Sequence, residues 1–156
     1  MNLHGEIIIG HMRLNVANLE RSLVFYCGLI GLQKGEQDGN LITLCPGSHH
    51  HIVLEPPHRT GAHGAPYGHT GMYHFSFLYP ERKELGRIVK KLVGTAHEID
   101  GVIDYGISQA VYLRDPDGIP VELYVEDPLD KVTRRSERKL AITPKSIDLE
   151  SLLENL

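Results

Sequence analysis

Apolar and polar positions along this chain switch between two periods, and they do so twice in the same order. Ile7-Ile8-Ile9-Gly10 is a short apolar run that ends on His11, of strand length and bounded by a glycine. Asn18 then stands before Leu19-Glu20-Arg21-Ser22-Leu23, where a short polar side chain suits a helix N-cap. Phe25, Tyr26, Leu29 and Ile30 follow at helical spacing, and Gly28 and Gly31 mark the exit. Three strand patterns come next, Leu32 to Glu36, Leu41 to Cys45 and His51 to Glu55, separated by Asp38-Gly39-Asn40 and Pro46-Gly47. The second half repeats this order. His74-Phe75-Ser76-Phe77-Leu78 is a strand pattern, and Pro80 opens a helix through Glu81-Arg82-Lys83-Glu84-Leu85 that Gly94 closes. Strand patterns lie around Glu98 to Ile103, Gln109 to Arg114 and Ile119 to Glu126.

A shift of 63 residues brings His11 onto His74, Phe25 onto Ile88, Tyr26 onto Val89, Leu29 onto Leu92 and Ile30 onto Val93. The chain is therefore an internal repeat. It predicts an α+β fold of two β-α-β-β-β modules, about 6–57 and 70–128, forming a curved mixed sheet around a cleft in one domain over residues 1–128. Residues 129–156 form a C-terminal tail. Its stretch Lys131 to Lys139 is charged and reads as a solvated arm. Ser146 to Leu156 puts Leu149, Leu152, Leu153 and Leu156 on one helical face. A helix that short needs to dock on its own domain or on a second subunit.

Composition narrows the function classes. A net charge of -4 gives no electrostatic footprint for nucleic acid. No apolar run is long enough to span a bilayer, and Met1 to Glu6 lacks the pattern of a secretory signal. Cys27 and Cys45 are expected to be reduced thiols, and the expected location is the cytoplasm. The ten histidines are the unusual feature. His11 and His74 occupy repeat-related strand ends. Glu122 lies in Pro120-Val121-Glu122-Leu123-Tyr124, after the turn Asp115-Pro116-Asp117-Gly118. An inward carboxylate between Val121 and Leu123 needs a partner. Two imidazoles and one carboxylate suit a divalent transition metal and leave coordination positions open for substrate. Matching Glu55-Pro56-Pro57 to Glu126-Asp127-Pro128 sets His51 opposite Glu122, so His51 or Glu55 is a candidate fourth ligand.

These features resemble the vicinal oxygen chelate superfamily, which includes glyoxalases, bleomycin-binding proteins and extradiol dioxygenases. The resemblance runs from about residue 6 to 128. It is carried by Val16-Ala17-Asn18-Leu19-Glu20-Arg21-Ser22-Leu23-Val24-Phe25-Tyr26 and by Asp115-Pro116-Asp117-Gly118 before Glu122. The stretches from Gly71 to Leu85 and from Ser108 to Gly118, with Ile147 to Leu153, are similar to bacterial catechol 2,3-dioxygenases, which usually carry four such modules. That resemblance implies Fe(II) held by His11, His74 and Glu122, with manganese, zinc or nickel as other metals the donors accept. It implies an aromatic diol and O2 as substrates, no separate organic cofactor, and a homodimer whose modules pair within one chain or between two. It places Tyr112 in the catalytic site, along with an acid/base histidine at His58 or His63. Where similar proteins read Asp-His-Gly, this chain has Asp104-Tyr105-Gly106, and that histidine ordinarily orients substrate.

Three functions compete. A ring-cleaving extradiol dioxygenase predicts open coordination and a cleft lined by residues such as Phe75, Phe77 and Tyr112. A glyoxalase-type lyase or isomerase needs a carboxylate facing Glu122, and Glu55 is the candidate. A non-catalytic binding module needs no metal ligands, so the presence of all three argues against it.

Overall fold

A computed structural model describes residues 10–45, 51–56, 72–127 and 144–154 of the chain. The chain divides into two compact units, Met1–His63 and Gly64–Leu156. Each carries one β-α-β-β-β module with its own mixed sheet.

In the first unit, β1 (His11–Asn15), β2 (Gln33–Asp38), β3 (Leu41–Cys45) and β4 (His51–Glu55) form a sheet of order β1-β4-β3-β2. The described strand starts at His11, and the run Ile7 to Ile9 lies outside the described residues. Helix α1 (Leu19–Leu23) begins as the sequence predicts. The Asn18 side chain accepts from the Arg21 backbone N–H at 3.0 Å, capping an orphan donor. The helix continues as a π-helical stretch over Val24–Leu29 and leaves at Gly31, whose φ is 95°. Strand alternation turns Leu14, Ile42, Leu44, Ile52 and Leu54 to one face, all of them buried. The register pairs Ile42 with Leu54 and Leu44 with Ile52. Phe25 and Tyr26 are buried with their rings edge to face.

In the second unit, β5 (Phe75–Leu78), β6 (Ile99–Asp104), β7 (Ser108–Arg114), β8 (Pro120–Glu126) and β9 (Lys145–Ser146) form a sheet of order β5-β8-β7-β6-β9. Helix α2 (Arg82–Gly94) follows Glu81 as its N-cap, so Pro80 sits just ahead of the helix it was expected to open. Leu85, Ile88, Val89 and Leu92 are buried along α2, at the spacing of one helical stripe, and α2 packs against β8. The tail belongs to this unit. Ser146 pairs with Ile103 in β9, and α3 (Leu149–Glu154) starts three residues later than its apolar pattern began. Leu152 is fully buried, and α3 packs on α2.

The β7–β8 turn shows how a sequence motif becomes geometry. Asp115 Oδ1 accepts from the backbone N–H of Asp117 at 2.9 Å and of Ile119 at 2.8 Å. Gly118 takes φ of +82°, a conformation that costs an L side chain strain. Asp115 is itself buried. Asp115→Ala is expected to lower stability by about 2 kcal/mol by removing charge-assisted hydrogen bonds. A chemical-denaturation midpoint equal to that of the parent would show that the turn holds without them.

Candidate functional site

The two modules share one pattern of strand pairing. Val16 N–H donates to the Glu55 carbonyl at 2.9 Å, and Tyr79 N–H donates to the Tyr124 carbonyl at 2.8 Å. His11 pairs with His51 and Arg13 with Val53 in β1–β4, whereas Ser76 pairs with Glu122 in β5–β8. Glu55 therefore corresponds to Tyr124, Val53 to Glu122, and His51 to Pro120. This corrects the expected match of His51 with Glu122. The slip is two residues, so the sheet face was right and the residue was wrong. The position matching the Glu122 carboxylate is an apolar valine.

In the second unit three neighbouring strands put Ser76, Glu122 and Tyr112 in one row across the sheet. On a pleated sheet such partners share a face. The Tyr112 hydroxyl donates to Glu122 Oε1 at 2.6 Å, and the Ser76 hydroxyl donates to Glu122 Oε2. His74, one residue ahead of β5, brings Nε2 to 3.2 Å from Glu122 Oε2. Its ring meets Tyr112 edge to face at 5.7 Å and Tyr73 at 4.9 Å. Burial first, then the hydrogen bonds to Glu122 and Tyr105, push the Tyr112 phenol above its ordinary pKa, so it stays a protonated donor.

Phe75 and Phe77 take the opposite parity, pairing with the buried Val121 and Leu123. Their rings pack against each other at 5.3 Å. They belong to the face away from Glu122, so the expected cleft lining by these two residues does not hold.

In the first unit, His11 and Arg13 are exposed on the face opposite the buried apolar row. They line a groove of about 650 Å3 with Leu41, Thr43, Cys45 and Val53. Glu55 is buried and bonded by Arg13 Nη2 at 2.7 Å. His58 and His63 lie outside the described residues.

The donor set can be tested against a metal. First-row divalent ions bind nitrogen and carboxylate oxygen at about 2.0–2.2 Å, which sets neighbouring ligands of an octahedral ion about 3 Å apart. The 3.2 Å between His74 Nε2 and Glu122 Oε2 fits that spacing. Within neither unit do three His, Cys, Asp or Glu side chains among the described residues gather by themselves into a metal site. The second unit brings His74 and Glu122 together, and the first carries His11 at the position matching His74.

Sequence reasoning missed Ser76. Its hydroxyl was legible in hindsight, because it stands two residues after His74 on the face that parity assigns to Glu122. It also missed a polar chain behind the site. Asp104 Oδ1 accepts from Gly106 N–H at 2.6 Å, and Asp104 Oδ2 accepts from Gln109 Nε2 at 3.2 Å. Arg82 then bonds Gln109 Oε1 at 2.7 Å and Asp127 Oδ1 at 2.5 Å. This chain fixes the turn that carries Tyr105.

A β-α-β-β-β repeat with a histidine at the same place in each module, and a carboxylate beside the second of them, defines a class, and comparison with known proteins agrees. The Glyoxalase/Bleomycin resistance protein/Dioxygenase superfamily model matches residues 8–123, and the chain belongs to that superfamily. It is 33% identical over 153 residues to a catechol-2,3-dioxygenase of Bacillus subtilis (strain 168), covering 98% of this chain and 53% of the relative. It is 25% identical to a manganese-dependent 2,3-dihydroxybiphenyl 1,2-dioxygenase of Geobacillus genomosp. 3, covering 89% of this chain and 46% of the relative. The chain thus spans about half the length of these curated relatives. Among solved structures, a glyoxalase/dioxygenase from Nostoc punctiforme aligns with TM-score 0.65 at 17% identity, over 78% of this chain and 92% of that one. A lactoylglutathione lyase from Agrobacterium tumefaciens aligns with TM-score 0.57 at 21% identity, over 76% and 92%. These structures share the fold. No helix among the described residues is long and apolar enough to cross a membrane.

Proposed function

We propose that the protein is a metal-dependent extradiol-type dioxygenase that cleaves the ring of a catechol-like substrate. Its metal is iron(II) or manganese, held by His11, His74 and Glu122. The observation that carries this reading is the pairing of His74 with Glu122, set against Val53 at the corresponding place in the first unit. Three protein donors with no fourth leave room for both oxygens of a diol and for dioxygen, which suits the 2-His-1-carboxylate pattern. When bound, the metal would bring the two reactants together and spread charge between them.

The residues of this chain do the positioning. Tyr112 and Ser76 hold the two oxygens of Glu122, fixing the carboxylate's orientation as outer partners of metal ligands commonly do. The edge of Tyr112 against His74 fixes the plane of the imidazole. One histidine of the pair His58 and His63 is assigned to proton transfer at the substrate.

The same register argues against a glyoxalase-type lyase, which needs a carboxylate facing Glu122. At the position of the first module that corresponds to Glu122 stands Val53, and Glu55 is engaged by Arg13. Glu55→Gln is accordingly expected to leave metal content unchanged, because the Glu55 carboxylate is held by Arg13 and is not a ligand on this reading. Elemental analysis showing metal lost in that variant would favour the lyase.

The test of the main reading is metal content of protein purified without oxygen, followed by a catechol panel scored for the yellow ring-opened product. Near-stoichiometric iron or manganese with ring cleavage, both lost in His74→Ala, is the expected result. Metal retained in His74→Ala, or no ring cleavage by metal-loaded parent, would sink it.

A further inference from the structure

We propose that Arg13 binds an anionic arm of the substrate, so that the diol cleaved by this protein carries a carboxylate. This rests on the ring-cleavage reading and deepens it by naming the substrate class. Arg13 stands two residues after His11 on β1. The two side chains share one face of the first sheet, about 7 Å apart along the strand. Both line the groove of about 650 Å3 in the first unit. The register sets Val53 beside Arg13 and Thr43 beside Val53. The floor next to the guanidinium is therefore apolar and then a neutral hydroxyl, which suits an aromatic ring and adds no charge to compete for the cation.

The pairing of Arg13 with Glu55 explains why the guanidinium is held there. Glu55 Oε2 accepts from Arg13 Nη2 at 2.7 Å. The Glu55 side chain is 9% exposed and that of Arg13 is 48% exposed. A buried ion pair adds little stability over apolar residues of the same volume, so stability alone does not account for the two charges. What the pair does provide is a cation fixed by one nitrogen, with half of its surface open to the groove. A guanidinium carries five N–H groups, and Glu55 engages one of them. The remaining fork matches a second carboxylate in bidentate geometry. Glu36 and Asp38 line the groove from β2, at the opposite edge of the sheet. Three strand spacings, about 14 Å, separate β2 from β1, more than a Debye length of about 8 Å at physiological salt. They leave the Arg13 charge uncancelled and repel an anion from their own end, so a carboxylate has one place to settle.

The experiment uses the full chain loaded with iron(II), without oxygen, and two probes. Dihydrocaffeate is a catechol with a carboxylate on a two-carbon arm, and its methyl ester has the same arm without the charge. The methylenes insulate the diol, so the two probes chelate alike. Affinities are read by titration calorimetry, with metal content measured on each protein. The parent is expected to bind the acid about 10-fold more tightly than the ester, the low end for a hydrogen bond to a charged group because Arg13 is half-exposed. Arg13→Met is expected to bring the two affinities together. That variant strands the buried Glu55 charge, so Arg13→Gln combined with Glu55→Gln, which leaves no unpaired charge, is the decisive protein. It too is expected to lose the preference for the acid. Metal-loaded parent that binds the acid no more tightly than the ester overturns the inference while the ring-cleavage reading stands. A preference that survives in the double variant, even with both probes weakened, has the same meaning. Parent protein that holds no metal and binds neither probe overturns the ring-cleavage reading and this inference with it.

Discussion

Glu122→Ala is expected to abolish metal retention and ring cleavage while leaving the chain folded. The fold should survive because Glu122 lies on the half-buried face of β8, and its neighbours Val121 and Leu123 anchor the strand from the other side. The loss of metal should be larger than for any residue behind it. Removing an outer partner of a ligand typically costs 10- to 100-fold in affinity or activity. Tyr112→Phe and Ser76→Ala should fall in or below that range, since each frees one Glu122 oxygen. On the proposed ligand set, removing the carboxylate itself takes away one of three donors and all of the set's negative charge. The order expected in metal affinity is therefore parent, Ser76→Ala, Tyr112→Phe, Glu122→Ala. A competitive chelator titration of the four proteins reads that order directly. Glu122→Ala holding metal as tightly as Tyr112→Phe would mean the carboxylate is no ligand. The His74–Glu122 contact would then be an ordinary imidazole–carboxylate hydrogen bond.

Much of this arrangement is written locally, and those parts were legible. Asn18 caps α1 because its side chain reaches a backbone N–H three residues on, a purely local bond. The turn at Asp115 to Gly118 is likewise closed by its own residues. The repeat was legible because apolar spacing survives in both helices. Registration between modules was not. His11 and His74 stand 63 residues apart, but the register makes β4 and β8 correspond at 69, as Val53 and Glu122 do. Nothing local reports the six residues gained between. The resemblance of Glu55-Pro56-Pro57 to Glu126-Asp127-Pro128 pointed to 71. Parity was preserved by that error, so it kept the correct face and named the wrong residue.

The misplacement of Phe75 and Phe77 has a different cause. Their apolarity suggested a cleft, but strand parity sends them away from Ser76 and Glu122, into the layer with Val121 and Leu123. The Arg82 chain was illegible for a third reason. Its members, residues 82, 104, 109 and 127, come from four separate places in the sequence, and their types are common on surfaces.

That chain carries the second large effect. Arg82→Ala is expected to destabilise the protein by about 3 kcal/mol. Asp127 is buried and salt-bridged to Arg82, and Gln109 is buried and bonded to it. Breaking a buried ion pair from one side costs about 3–5 kcal/mol. The lower end applies here because the Arg82 side chain is 32% exposed and water can partly replace it. Against a total stability of about 5–15 kcal/mol, that is a sizeable fraction. Arg82→Lys should recover little, because one ammonium cannot span Gln109 and Asp127 as the guanidinium fork does. The double variant Arg82→Met with Asp127→Asn should recover more, since it removes the uncompensated charge while keeping volume. Denaturation midpoints for the three variants separate these cases. If Arg82→Ala matches the parent, Asp127 is held by its other contacts and the guanidinium is dispensable. The same variants bear on chemistry, because Gln109 links Arg82 to Asp104 and so to the turn of Tyr105. On the proposed ring-cleavage reading, a loosened turn should raise KM for catechol before it lowers metal content, a split that global unfolding would not produce.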